Sequence, residues 1–174
     1  ESIEKNNVDA VFLMPSSLSK ISVTQFAKRR NEIRAWANEN NKLIIEDDYN
    51  GELRYTARTV PSFQGKLPER TVYIGSFSKL LLPSVRIAYM VLPPYLLKQF
   101  TLKSLRFNQT CGKIEQLALK EYIESGDLEK HLRKLSRIYY NKSQTLCKEI
   151  EKYFKYPEFV KQMEERHIIL VIKN

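Results

Sequence analysis

Short apolar runs punctuate the first half of the chain and then give way to helical spacing. Val8 to Met14 ends at Pro15, Leu43 to Glu46 and Thr71 to Ser76 follow, and Arg86 to Leu92 is halted by Pro93 and Pro94. Runs this brief, rich in β-branched and aromatic residues, predict buried strands. After the first run, Ser22 and Gln25 have capping-box spacing, and Phe26, Ile33, Trp36 and Ala37 recur at helical intervals. Asn40 and Asn41 predict the end of that helix, because asparagine tolerates a left-handed backbone. Continuous apolar strands separated by a helix predict an α/β fold whose sheet is covered on both faces and is at least partly parallel.

From Tyr95 to Phe154 the spacing is helical almost throughout. Leu96, Leu97 and Phe100 begin one helix. Ile114, Leu117, Ala118 and Ile123 predict the buried face of a second, with Gly126 as its C-cap. Asp127 is placed to cap a third, whose stripe is Leu128, Leu132, Leu135, Tyr139, Leu146, Ile150 and Tyr153. A last strand, Ile168 to Ile172, leaves little room for a partner layer, so the chain reads as a fragment.

Composition narrows the function. The chain has 174 residues, 43% of them hydrophobic, enough for a real core and against disorder. No apolar run approaches the ~18 residues of a membrane-spanning helix, and the residues from Glu1 to Lys5 lack the layout of a secretory signal. Cys111 and Cys147 have no paired spacing, which fits a reducing, cytoplasmic setting and no metal site. The net charge is +9, of which residues 95–155 hold +6. There Lys and Arg alternate with Glu around helices, the pattern of a solvated face rather than of a nucleic-acid surface. With only five glycines, at 51, 65, 75, 112 and 126, neither common glycine-built phosphate loop can be written.

Two polar segments fall where strands end. Glu46-Asp47-Asp48-Tyr49 follows the second strand, Ser76-Phe77-Ser78-Lys79 follows the third, and Arg86 lies seven residues beyond Lys79. Open α/β sheets bind ligands beyond the carboxyl ends of their strands. An amine for a Schiff base, a carboxylate for a pyridine nitrogen, a phenol, two hydroxyls and a guanidinium together suit pyridoxal 5'-phosphate (PLP). Each residue taken singly has an ordinary reading as a solvated lysine, a polar loop or a surface arginine. Position and order bring the site level with those ordinary readings, and spacing alone goes no further.

Three segments carry a resemblance. Leu43-Ile-Ile-Glu-Asp-Asp-Tyr-Asn-Gly-Glu-Leu-Arg-Tyr55, Tyr73-Ile-Gly-Ser-Phe-Ser-Lys-Leu-Leu-Leu-Pro-Ser-Val-Arg-Ile-Ala-Tyr89 and Tyr122-Ile-Glu-Ser-Gly-Asp-Leu-Glu-Lys-His-Leu-Arg133 resemble, in order, segments of the MocR/GabR-type transcriptional regulators. Those proteins join a GntR-type winged helix-turn-helix to a fold type I aminotransferase-like domain. The resemblance implies that Lys79 forms the Schiff base with PLP, Asp47 pairs with the pyridine nitrogen and Tyr49 meets the ring hydroxyl. It implies that Ser76, Ser78 and Arg86 hold the phosphate.

It also implies an organisation. Residues 1–106 are the C-terminal half of the large domain, 107–154 a helical connection with the long interdomain helix, and 155–174 the start of the small domain. The implied function is sensing of an amine or amino acid by Schiff-base exchange, in a homodimer that meets DNA only through an upstream domain. A working PLP-dependent aminotransferase and a cofactor-free dimerisation module are the alternatives. Ser17 to Ser22 depart from the family's pattern, which puts substrate handling in question more than cofactor attachment. Ser84 and Ala88 stand where the family has glycines, and His131 and Arg133 fit a helix-face or interface role.

Overall fold

The computed structural model describes residues 8–15, 23–49, 51, 61–153, 160–164 and 167–171. In chain order the elements are β1 (Ala10–Leu13), α1 (Val23–Glu39), β2 (Leu43–Asp47), β3 (Thr71–Ser76), β4 (Ala88–Val91), α2 (Pro94–Ser104), α3 (Lys113–Glu124), α4 (Asp127–Tyr153), β5 (Val160–Glu164) and β6 (His167–Val171). They fall into two compact units, Glu1–Tyr49 with Val60–Glu115, and Asn50–Thr59 with Gln116–Asn174.

The first unit is built on a four-stranded sheet in the order β1-β2-β3-β4. The first two pairings are parallel and the last antiparallel. Parallel pairing demands a long crossover, and α1 supplies it between β1 and β2. Ile33, Trp36 and Ala37 pack with Val11, Leu13, Ile44 and Phe63, and the cluster's buried centre is Ala37, Ile44 and Phe63. Truncation of Ile44 to alanine there costs about 2–5 kcal/mol. Asn41 ends α1 as expected: its φ is 54°, and the Lys42 N–H reaches back to the Ala37 carbonyl at 2.9 Å. The capping-box residue Ser22 lies outside the described residues.

Strand alternation divides the sheet's two faces. Val11, Leu13, Ile44, Glu46, Tyr73, Gly75 and Tyr89 share the α1 face; Phe12, Ile45, Asp47, Ile74, Ser76, Ala88 and Met90 share the other. Burial on both faces was the expectation. Instead Phe12 on the second face is 56% exposed. Near β4 that face meets α2, leaving an apolar cleft of about 440 Å³ lined by Ile74, Ala88, Met90, Leu97 and Phe100.

Helix α3, whose residues from Gln116 on belong to the second unit, turns differently from its expected face. Leu119 is buried, whereas Ile114, Leu117 and Ile123 are exposed. Apolar residues lie on more than one side of this helix, so periodicity alone cannot choose between them. Gly126 does close α3, with φ 74° and its N–H on the Ile123 carbonyl at 3.0 Å. Asp127 is the first residue of α4 rather than its cap; the Ser125 hydroxyl accepts its N–H at 3.3 Å. Along α4 the buried side chains among the described residues are Ser143 and Cys147, four apart, and Leu146 is exposed. The side chains of Ile150 and Tyr153 lie outside the described residues. The last strand is not alone: β6 pairs antiparallel with β5, from Val160 opposite Val171 to Glu164 opposite His167.

Candidate functional site

Asp47 is the last residue of β2 and sits beside Ile74 in the parallel register. Ser76, two residues on from Ile74, ends β3 on the same face. Adjacent strand ends thus present a carboxylate and a hydroxyl together. Beyond β3 the chain makes a tight turn: the Leu80 and Leu81 N–H groups both donate to the Phe77 carbonyl at 3.0 Å. Ser76 Oγ accepts the Ser78 N–H at 3.2 Å, fixing one hydroxyl at the base of that turn.

The turn brings Lys79 to Tyr49. Its Nζ lies 4.4 Å from the centre of the Tyr49 ring, a cation–π contact between residues 30 apart in sequence. After a short 3₁₀ turn at Pro83–Val85, Arg86 has φ 47° and ψ 38°. A left-handed arginine costs about 1–2 kcal/mol, and such strain gathers at functional sites. Among the described residues the other non-glycine with positive φ is Asn41, so Ser84 and Ala88 do not need glycine's freedom. Contact therefore joins Lys79 to Tyr49 and Ser76 to the Ser78 backbone, strand register brings in Asp47, and Arg86 enters only through its neighbour, whose carbonyl accepts the Phe77 N–H at 2.9 Å. The departure at Ser17 to Ser22 lies outside the described residues.

Sequence reading missed what holds the site from the α1 face. Tyr89 lies over Gly75, where an added Cβ would come within 2.3 Å of its ring, and the ring centres of Phe77 and Tyr89 are 5.4 Å apart. Asp48 is buried, donates its N–H to the Ile74 carbonyl at 3.0 Å, and accepts the Tyr73 hydroxyl at 3.4 Å.

Glu46 is only 1% exposed. It accepts the Gln64 N–H at 3.2 Å and lies 3.8 Å from an Arg30 nitrogen. Burial pushes its carboxyl above the usual value of 4.5, and the Asp48 charge adds to this; the Phe63 and Gln64 N–H groups and the Arg30 charge oppose it. The remaining strand neighbours of Glu46 are Tyr73 on β3 and apolar Leu13 on β1. Spacing held a signal for this pair: Arg30, Ile33 and Ala37 form one helical stripe, and Glu46 alternates with buried Ile44.

This mixed sheet, parallel except at β4, matches part of the fold of the type I PLP aminotransferases. The multiple substrate aminotransferase of Thermococcus profundus superposes with a TM-score of 0.76 at 24% identity, over 94% of this chain and 41% of that one. No family model matches the chain. In sequence it is 38% identical over 151 residues to the HTH-type transcriptional regulator YhdI of Bacillus subtilis, covering 86% of this chain and 32% of that protein. It is 34% identical over 135 residues to the pyridoxine biosynthesis regulator PdxR of Corynebacterium glutamicum, covering 77% of this chain and 30% of that protein. Its relatives also include a MocR regulatory protein of Rhizobium meliloti and aminotransferases. The chain is thus a homologue of the MocR-type regulators along the stretch it shares with them, and it spans about a third of the length of the curated relatives it matches.

Proposed function

We propose that this chain is part of the PLP-binding, effector-sensing domain of a MocR/GabR-like transcriptional regulator. Residues 1–106 belong to the large domain of that fold, 107–154 to the helical connection and 155–174 to the small domain. The observation that carries the reading is the Lys79–Tyr49 contact, an amine held against a phenol ring beside the Ser76–Ser78 pair.

These residues fit PLP by their chemistry. PLP supplies an aldehyde that condenses with amines and a pyridine ring that draws electrons. Lys79 presents the amine. Asp47, on the same face as Ser76, offers a carboxylate to the pyridine nitrogen, and Tyr49 offers its hydroxyl to the ring oxygen. Ser76, Ser78 and Arg86 offer hydroxyls and a guanidinium to the phosphate, replacing a glycine loop. An amine or amino acid is sensed by Schiff-base exchange at Lys79, which alters the contacts made in two states of the domain. The working protein is a cytoplasmic homodimer, and DNA is met through a domain upstream of these residues. Among the described residues no helix is long and apolar enough to cross a membrane.

The same residues serve a PLP-dependent aminotransferase, and similarity to the aromatic-amino-acid aminotransferase 1 of Thermococcus litoralis, 28% over 159 residues, favours that second reading. A turnover assay separates the two. With PLP and an added amino acid, the regulator shifts its visible band without sustained keto-acid release. Repeated Lys79-dependent turnover identifies the enzyme instead.

A further inference from the structure

Glu46 is a carboxylate sealed under the site. Its hydrogen-bond and ion-pair partners, Gln64 and Arg30, belong to one segment or hold that segment. The Gln64 N–H donates to Glu46 Oε2 at 3.2 Å. An Arg30 Nη donates to the Pro61 carbonyl at 2.6 Å and also lies 3.8 Å from Glu46 Oε1. The Arg30 guanidinium stacks on the Phe63 ring at 3.9 Å, and Phe63 is itself a centre of the core. Pro61, Phe63 and Gln64 lie where the chain returns after leaving β2 through Tyr49.

We propose that Glu46 and Arg30 are positioning residues for the site: they fasten the returning segment 61–64 to the end of β2, and so fix the backbone that carries Asp47 and Tyr49. The proposal rests on the PLP reading above for its functional consequence, but its geometry stands without it. Glu46 immediately precedes Asp47 and points to the opposite face, so a shift of its peptide turns the Asp47 carboxylate away from Ser76. On the other side of Asp47, Asp48 is tied to β3 through its own N–H and the Tyr73 hydroxyl. Two anchors thus bracket Asp47 and hold the approach to Tyr49.

The test uses the full-length protein, first without PLP. Arg30→Met keeps a stem against Phe63 while removing the donor to Pro61 and the charge beside Glu46. Glu46→Ala removes the acceptor for Gln64, and Glu46→Gln retains one. Arg30→Met and Glu46→Ala should speed amide exchange about tenfold in both 46–49 and 61–67, with Glu46→Gln close to the wild type. If Glu46→Ala fails to fold, Arg30→Met decides alone. Unchanged exchange at 46–49 overturns the proposal, whether or not 61–67 loosens, because the fastening then does not reach the site. With PLP, the pH midpoint of the visible band should move in Arg30→Met and return in Glu46→Gln; an unmoved midpoint also overturns it. A wild type that forms no visible band refutes the PLP reading instead, and the exchange data still decide the positioning.

Discussion

At Gly75 the sheet has no room for a side chain, because the Tyr89 ring occupies the place of a Cβ. Gly75→Ala should therefore destabilise the fold by about 1–3 kcal/mol, the usual cost of overpacking. Replacing Tyr89 by leucine in the same chain should recover part of that loss, as a double-mutant cycle in urea would record. Arg86 makes the opposite case. Its left-handed backbone is strained, so Arg86→Gly should leave the melting temperature unchanged or raise it, by about 1 kcal/mol in stability. The same change should weaken PLP binding, measured by fluorescence titration, if Arg86 has the phosphate-holding role proposed for it. Loss of stability together with unaltered binding would contradict the role given to Arg86.

Among the elements, β2 presents Asp47 on one face and buried Glu46 on the other, and Glu46 sets a pH dependence. Burial raises the Glu46 pKa in the folded state above the usual 4.5. Its contribution to stability is then fully present below that value and is lost as pH rises through the raised one. Relative to wild type, Glu46→Gln should gain stability as pH is raised from below 4.5 to neutrality, because glutamine does not titrate. Urea unfolding of both proteins across that range checks the sign; a relative gain by the wild type would contradict it.

The elements also show what the residues made legible. Five strands (β1 to β4 and β6), the Asn41 terminus of α1 and the Gly126 cap follow from apolar runs and backbone tolerance, which are local properties. The face of α3 does not, because Leu119 and the set Ile114, Leu117 and Ala118 lie on different sides of one helix. Nor does β5, whose Val-Lys-Gln-Met-Glu reads as polar until β6 pairs with it. At the site, Lys79 and Tyr49 were legible as strand-end residues. The Glu46–Arg30 contact joins residues 16 apart across a helix and a strand, and the tertiary fold decides it.

Among the described residues, exposed apolar side chains gather on and after α2: Leu97, Phe100, Leu102, Leu105 and Phe107. Among the described residues β1 and β4 each pair on one side only. Apolar patches and open sheet edges are surfaces on which chains associate. Expressed by itself, this chain should self-associate in light scattering, and Leu105→Glu with Phe107→Glu should reduce the associated fraction. A monodisperse monomer at high concentration would contradict this. The +9 net charge does not alter that expectation, since the basic residues of 95–155 are interleaved with acids.

The central claim is that Lys79 holds PLP, and one absorption spectrum tests it most directly. Full-length protein mixed with PLP should develop a visible band that borohydride fixes covalently to the Lys79 peptide, and Lys79→Ala should lose both band and adduct. A band that persists in Lys79→Ala, or an adduct on another lysine, would contradict the account.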